Sequence, residues 1–327
     1  MKLAVIIPTG PGVAESQRCR DTVASVTAWE PAVRWLVLVD DSPVPRDLGA
    51  VIEAGGAEVT LLAGPLAGRQ DFARSDRLTA GVLAALRWVA RETDADMALE
   101  LDTDALVIAP FADKLAAAAA DERTGLVGSY DRTCNGEPRS FQPWAPFVQA
   151  AARNVQRRRV LAPLRTRRVR RYILQARSHG YEWGEHALGC SIAIPRPALD
   201  ALDLGGSLDD PLVFAGTHIG DDPMLGILVR RAGYRLAGHV GEGQTFGVAW
   251  RGLPDTPVRL AARGYSIIHS VRSDPRFSEQ EVRALFRRAR ERDSSLQPGS
   301  DARGYGAQAP LRSARPNSST RSSKAAR

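Results

Sequence analysis

The chain has 327 residues, 44% of them apolar, enough to bury a large core in one domain or two closely joined halves. No apolar run reaches the roughly 18 residues of a membrane-spanning helix, and Leu3 to Ile7 stops at Pro8, too short for a signal-peptide core, so a cytoplasmic address is expected. The net charge of +7 is concentrated: residues 151–180 hold ten Arg and no acid, and residues 294–327 hold five Arg and one Lys against Asp301. The remaining body is acidic, which argues against a specific nucleic-acid partner.

In chain order, Leu3 to Ile7, Trp35 to Val39, Val59 to Leu62 and Met97 to Leu101 read as strands, and Gln17 to Thr27, Leu48 to Ala54 and Leu78 to Arg91 as helices. The apolar runs lack clean alternation, which predicts an α/β fold with a mostly parallel sheet between helices. Phe111 to Asp121 follows as a helix and Gly125 to Tyr130 as a returning strand. Asn135 to Pro146, rich in Pro, Gly and aromatic residues, reads as a loop or crossing. The Arg-rich stretch then predicts amphipathic helices broken at Pro163. Ala187 to Ile194 reads as a buried strand ending at Pro195, Leu225 to Ala232 as a helix closed by Gly233, and 279–292 as a polar helix rich in Arg. Beyond Ser294 the composition predicts a disordered basic tail. Cys19, Cys134 and Cys190 are odd in number and lack metal-ligand spacing, so reduced structural thiols are expected.

Four features carry candidate chemistry. Asp40-Asp41-Ser42-Pro43 puts carboxylates at the end of the second strand, where a hydrogen-bond acceptor suits the N–H edge of uracil, thymine or guanine; a simple turn is the alternative. Arg69, Arg74 and Arg77 precede a helix and suit phosphate, or are solvated. Asp102 and Asp104 share one face of an extended chain, with Glu100 beside them and Thr103 pointing away, so two hard oxygen ligands converge for Mg²⁺ or Mn²⁺; a solvated strand-end turn is the alternative. Gly220-Asp221-Asp222-Pro223 opens a helix with one aspartate to cap it and a second free to act as general base.

In order and spacing, Val5-Ile6-Ile7-Pro8-Thr9, Val39-Asp40-Asp41-Ser42, Leu101-Asp102-Thr103-Asp104 and Gly220-Asp221-Asp222 with Ala232-Gly233-Tyr234-Arg235 resemble a glycosyltransferase of the GT-A fold, most similar to the family 2 group, over about residues 3–270. The resemblance implies that Pro8, Thr9, Asp40, Asp41, Arg77, Asp102 and Thr103 hold the nucleotide-sugar. Asp102 and Asp104 would bind Mn²⁺ or Mg²⁺ through the DxD motif, joined by His269 as the late histidine of some GT-A enzymes. Asp222 would be the catalytic base, with Asp221 where Glu is commoner. The Gln-x-x-Arg-Trp signature of processive polymerases is absent, which implies single transfer, and a base at Asp222 implies inversion.

On this basis residues 1–130 form a nucleotide-sugar-binding half, 131–186 a loop and Arg-rich helical insertion, 187–293 an acceptor and catalytic half, and 294–327 the tail. Tyr181, Trp183, Glu185 and His186 make a candidate stacking surface for a hydroxyl-bearing acceptor, whether saccharide, lipid-linked or small molecule, with Trp250 and His218 as further candidates. The Arg157 to Arg171 segment suits peripheral contact with an anionic membrane at the inner face, an anionic acceptor, or solvent. Two rivals are a sugar nucleotidyltransferase, poorly served by Thr9-Gly10-Pro11-Gly12, and a non-catalytic protein that docks on an anionic surface.

Overall fold

The computed structural model describes residues 1–49, 52, 54–153 and 162–294. The apolar runs of the first third pair as parallel strands: β1 (Leu3–Thr9), β2 (Val33–Asp40), β3 (Glu58–Ala63) and β4 (Met97–Leu101), linked by α1 (Val13–Trp29) and α2 (Arg74–Glu92). After the short β5 (Leu106–Val107) and α3 (Ala112–Ala118), β6 (Thr124–Gly128) re-enters the sheet. Then follow α4 (Ala145–Ala152), α5 (Ala162–Ser178), β7 (Ser191–Pro195), α6 (Arg196–Leu204), α7 (Asp221–Arg231) and β8 (Arg235–Gly238). The last part contributes β9 (Phe246–Val248), α8 (Pro257–Ala262), β10 (Ile267–His269) and α9 (Glu279–Ser294).

The main sheet has seven strands in the order β3-β2-β1-β4-β7-β6-β8, all parallel except β7, which runs antiparallel to both neighbours. It is mostly parallel, as the uninterrupted apolar runs predict, and it draws strands from both sides of the Arg-rich stretch. Along β1, Ala4 and Ile6 enter one apolar cluster with α2, α5, α6 and α7, while Leu3, Val5 and Ile7 enter another with α1, α3 and the small sheet β5-β10-β9. Both faces are covered, which is why period-two patterning is weak.

This topology gathers one edge. Thr9 pairs with Asp40, so β1 and β2 end level, and β4 ends beside them at Leu101. Leu101 pairs with Ser191, which brings Gly189 and Cys190 to that edge, and β6 delivers Ser129 there. The small sheet carries His269 to the same place, because β10 pairs antiparallel with β5, just beyond Asp104.

Several boundaries differ from the sequence reading. α7 opens at Gly220-Asp221-Asp222-Pro223 as that motif predicts, four residues before the apolar run at Leu225, but Gly220 is the N-cap with no side-chain cap bond, so both aspartates lie inside the first turn and Pro223 is its third residue. β7 starts at Ser191 because Ala187 to Cys190 bend around the sheet edge. α5 contains Pro163 in its first turn, where a missing N–H breaks no helical bond. The Arg-rich helix expected over 279–292 is present as α9 and docks on the body of the protein: Arg283 bonds Asp21 at 2.9 Å and the carbonyl of Thr103 at 2.8 Å, and Glu279 pairs with Arg18. The expected basic tail beyond 294, the Arg157 to Arg159 cluster and positions 50, 51 and 53 of the predicted helix over Leu48 to Ala54 lie outside the described residues. Among the described residues no helix is long and apolar enough to cross a membrane.

Close packing sets α7 against the chain that precedes β7. A Cβ on Gly226 would overlap the carbonyl oxygen of Glu185, a backbone atom that cannot rotate away. Gly226→Ala is expected to destabilise the protein by about 1–3 kcal/mol, read as a lower urea midpoint with an unchanged slope.

Candidate active site

The turn after β4 holds the acid pair. Asp102 N–H donates to the carbonyl of Cys190 at 3.2 Å, Ala105 N–H to that of Asp102 at 3.0 Å, and Val271 N–H to that of Asp104 at 3.0 Å. Backbone bonds from three segments thus fix the turn. The Asp102 side chain remains one-third exposed while Asp104 is buried. His269 Nε2 lies 3.1 Å from Asp104 Oδ1 and 3.7 Å from Asp102 Oδ2, and one potential ligand atom from each residue lies within 4.8 Å of the others. His269 Nδ1 is 2.8 Å from the Ala249 carbonyl, which fixes the proton on Nδ1 and aims Nε2 at the aspartates. Two hard oxygens and one oriented imidazole suit Mn²⁺ or Mg²⁺, so the donor set fits such a cation.

Without a metal the cluster is held by protons and neighbouring cations. Burial and then the Asp104 charge push Asp102 up to about 7. Burial also acts on Asp104, but the hydrogen bond and charge of His269, the Ser270 hydroxyl at 2.6 Å and Arg272 hold it well below the usual carboxylate range. Burial disfavours charge on His269, yet Cys190 and Asp104 outweigh it and hold the imidazole well above its ordinary value. Arg272 Nε is 3.5 Å from Asp104 Oδ2 and its Nη1 is 3.1 Å from Glu15, so this cation flanks Asp104.

Gly189 admits the second acid pair. A Cβ there would collide with the carboxylates of both Asp221 and Asp222, so the chain passes directly over the first turn of α7. Burial raises Asp222 to about 6 against a lowering hydrogen bond from the Gly189 backbone. Burial and then the Asp222 charge push Asp221 well above the usual carboxylate range. The helix N-terminus would favour two anions; desolvation and mutual repulsion win. Glu100 adds a fifth carboxyl: it is buried, neither oxygen has a hydrogen-bond partner, and burial followed by the Asp102 charge raises it well above its ordinary value.

On the nucleotide side, Pro8 and Thr9 close β1 beside Asp40. Asp40 is spent on structure: Arg46 bonds it at 2.6 Å and also reaches Gly10 O, Gly12 O and Ser16. Burial raises the Asp40 pKa, but these bonds and those from Ser42 hold it below the ordinary range. Asp41 Oδ2 accepts from Arg77 at 2.8 Å, while its Oδ1 is buried without a partner. An orphaned carboxylate oxygen is an open acceptor for a base N–H. The Thr103 hydroxyl donates to Glu15 at 2.5 Å, so it is not free for a donor substrate. Arg69 is taken by Asp71.

The expected stacking surface is corrected by the structure. Tyr181, Glu185 and His186 are buried, and Trp183 lies under Arg177. Glu185 is a structural counter-ion, bonded by Arg230 and by the Tyr130 hydroxyl, both at 2.6 Å. Trp250 is 71% exposed beneath Arg251, and His218 is an exposed loop residue. Sequence reasoning missed Arg46, Arg139, Ser270 and Arg272. Only Ser270 and Arg272 carried a signal, their closeness to His269.

No protein-family model matches the chain and no curated protein matches its sequence. Solved structures resemble it remotely. They include the mannosyltransferase PcManGT from Pyrobaculum calidifontis in complex with GDP-Man and Mn²⁺, at 15% identity over 92% of this chain and 66% of that one, with a TM-score of 0.39. An active-site mutant of LgtC is 13% identical over 91% of this chain and 98% of its own, with a TM-score of 0.45. The galactosyltransferase LgtC with donor and acceptor sugar analogs gives 12%, 91%, 98% and 0.44. The chain spans just under two thirds of the mannosyltransferase's length.

Glu100 gives a test of the cluster's electrostatics. A carboxyl whose folded pKa is raised above its unfolded value weakens folding as pH climbs past that unfolded value, because the native state resists losing the proton. Glu100→Gln removes that penalty. In metal-free buffer the variant's urea midpoint is expected to gain on wild type progressively from pH 5 to pH 8; a constant offset across that range refutes the assignment.

Proposed function

We propose that the protein is a metal-dependent glycosyltransferase that moves a sugar from a nucleoside diphosphate to a hydroxyl acceptor by a single inverting displacement. The observation that carries this reading is the meeting, at one sheet edge, of the Asp102, Asp104 and His269 group with the Asp221 and Asp222 pair. A bound Mn²⁺ or Mg²⁺ would be held by Asp102, Asp104 and His269 and would neutralise charge developing on the diphosphate leaving group. Pro8 and Thr9 flank the nucleotide and the open Oδ1 of Asp41 receives a base N–H, which favours uracil, thymine or guanine over adenine. Asp222 Oδ takes the proton of the acceptor hydroxyl as that oxygen attacks the anomeric carbon. Asp221, protonated, steadies Asp222 in its ionised form.

The same reading covers location. α5 presents Arg165, Arg167, Arg168 and Arg171 around a recess of about 590 Å³ with Leu164, 75% exposed, at its rim. Basic side chains around an exposed apolar tip suit the headgroup layer of an anionic membrane on the cytoplasmic side, where a lipid-linked acceptor would be presented.

Calorimetry with UDP, GDP and dTDP in Mn²⁺ is expected to yield one preferred nucleotide, and Asp104→Ala or chelation to abolish that heat. No nucleotide heat with wild type would refute the reading. Asp222→Asn is expected to lower transfer at least about 100-fold, the range of a lost general base, while nucleotide binding persists. Wild-type transfer should fall as pH drops through about 6, because protonated Asp222 cannot accept the acceptor's proton.

A further inference from the structure

Arg139 is a partly buried cation that the transfer chemistry above does not use. It lies in the Pro- and aromatic-rich connection after β6 and is clamped from two sides. One terminal nitrogen donates to the Ser129 carbonyl, and the other lies 2.8 Å from Nε2 of His186. His186 is buried, with Nδ1 2.7 Å from the Gly184 carbonyl, so its proton sits on Nδ1 and Nε2 accepts from the guanidinium. Burial and the adjacent Arg139 charge push His186 down to about 4, which keeps it neutral.

Two neutral acceptors thus orient a charge that they do not balance. Among the described residues Arg139 forms no ion pair. The buried acid next to it, Glu185, is already committed to Arg230, and Asp131 is an exposed partner of Arg132. The carboxylate whose field acts most on Arg139 is Asp222. A guanidinium carries five N–H groups and this one commits two, leaving the rest of the fork for an oxyanion.

The surroundings indicate which substrate it meets. Phe141 stacks on Tyr130 at 5.8 Å and meets the His186 ring edge at 5.5 Å. Trp144 lies 6.3 Å from His186 and covers Gly220, where a Cβ would sit 3.4 Å from the indole. An aromatic wall therefore runs to the first turn of α7, ending beside Asp222. The cation on the metal side is a different residue, Arg272, next to Asp104.

We propose that Arg139 is the anion-recognising residue of the acceptor subsite and that the acceptor is a sugar-like molecule bearing a carboxylate or phosphate near its reactive hydroxyl. This rests on the transferase reading of Asp222. The test titrates D-glucose, D-glucuronate and glucose 6-phosphate into the full-length protein by calorimetry, with and without Mn²⁺ and UDP or GDP. Wild type is expected to bind at least one charged sugar about tenfold or more tightly than glucose, the scale of one added charge-assisted hydrogen bond. Which of the two is preferred identifies the anion. Arg139→Gln is expected to erase the difference and Arg139→Lys to keep part of it. Equal affinities in wild type, a preference that survives Arg139→Gln, or loss of nucleotide heat in that variant would overturn the proposal; the wild-type comparison stands even if a variant fails to fold. Absence of nucleotide binding in wild type would instead defeat the transferase reading, and the sugar titrations without nucleotide still read Arg139.

Discussion

Five carboxyl groups share one sheet edge, and the rest of the site is arranged around the cost of keeping them there. Glu100, Asp102, Asp104, Asp221 and Asp222 come from β4, the turn after it and the first turn of α7, with little water to screen them. Like charges in such surroundings cannot all ionise. The protein divides the load: Ser270, His269 and Arg272 favour the charged form of Asp104, whereas burial and neighbouring carboxylates push Asp221 and Glu100 toward the neutral form. A divalent cation held by Asp102, Asp104 and His269 would relieve this repulsion.

Neighbouring charges are handled differently according to their place. Asp40 and Glu185 look like binding residues by position, yet each is locked to an arginine, Arg46 and Arg230, and serves as scaffold. Asp41 and Arg139 sit nearby and keep unspent capacity, an acceptor oxygen in one and N–H groups in the other. A half-buried side chain that retains hydrogen-bonding potential is unusual, and under the proposed function both would face a substrate.

Much of the architecture could be read from residue order. The runs at Leu3, Trp35, Val59 and Met97 each became a strand, because buried parallel strands have no polar face to blur the signal. The pairing of Asp102 with Asp104 follows from strand geometry alone. His269 could be suspected only through a family likeness, since its position depends on β10 pairing with β5 across about half the chain. Arg139 and Arg46 lie in loops without periodicity: Arg139 meets a carbonyl and a histidine 47 residues away, and Arg46, though only six residues from Asp40, is fixed there by carbonyls of the β1–α1 connection more than 30 residues earlier. The same limit misled the reading of Tyr181 and Glu185, whose polar and aromatic character suggests a surface but whose partners place them inside. Short elements such as β5, β8 and β9 carry too few residues to show any pattern.

α9 has a temporal consequence. Arg283 holds the carbonyl of Thr103, and Ser270 and His269 hold Asp104, so the turn between Asp102 and Asp104 is completed by residues made 165 to 180 positions later. On the ribosome the first four strands can pair long before those residues emerge from the exit tunnel, whereas contacts of such span form slowly. The nascent chain would therefore hold its sheet early and complete its acidic turn late, only after α9 has been made.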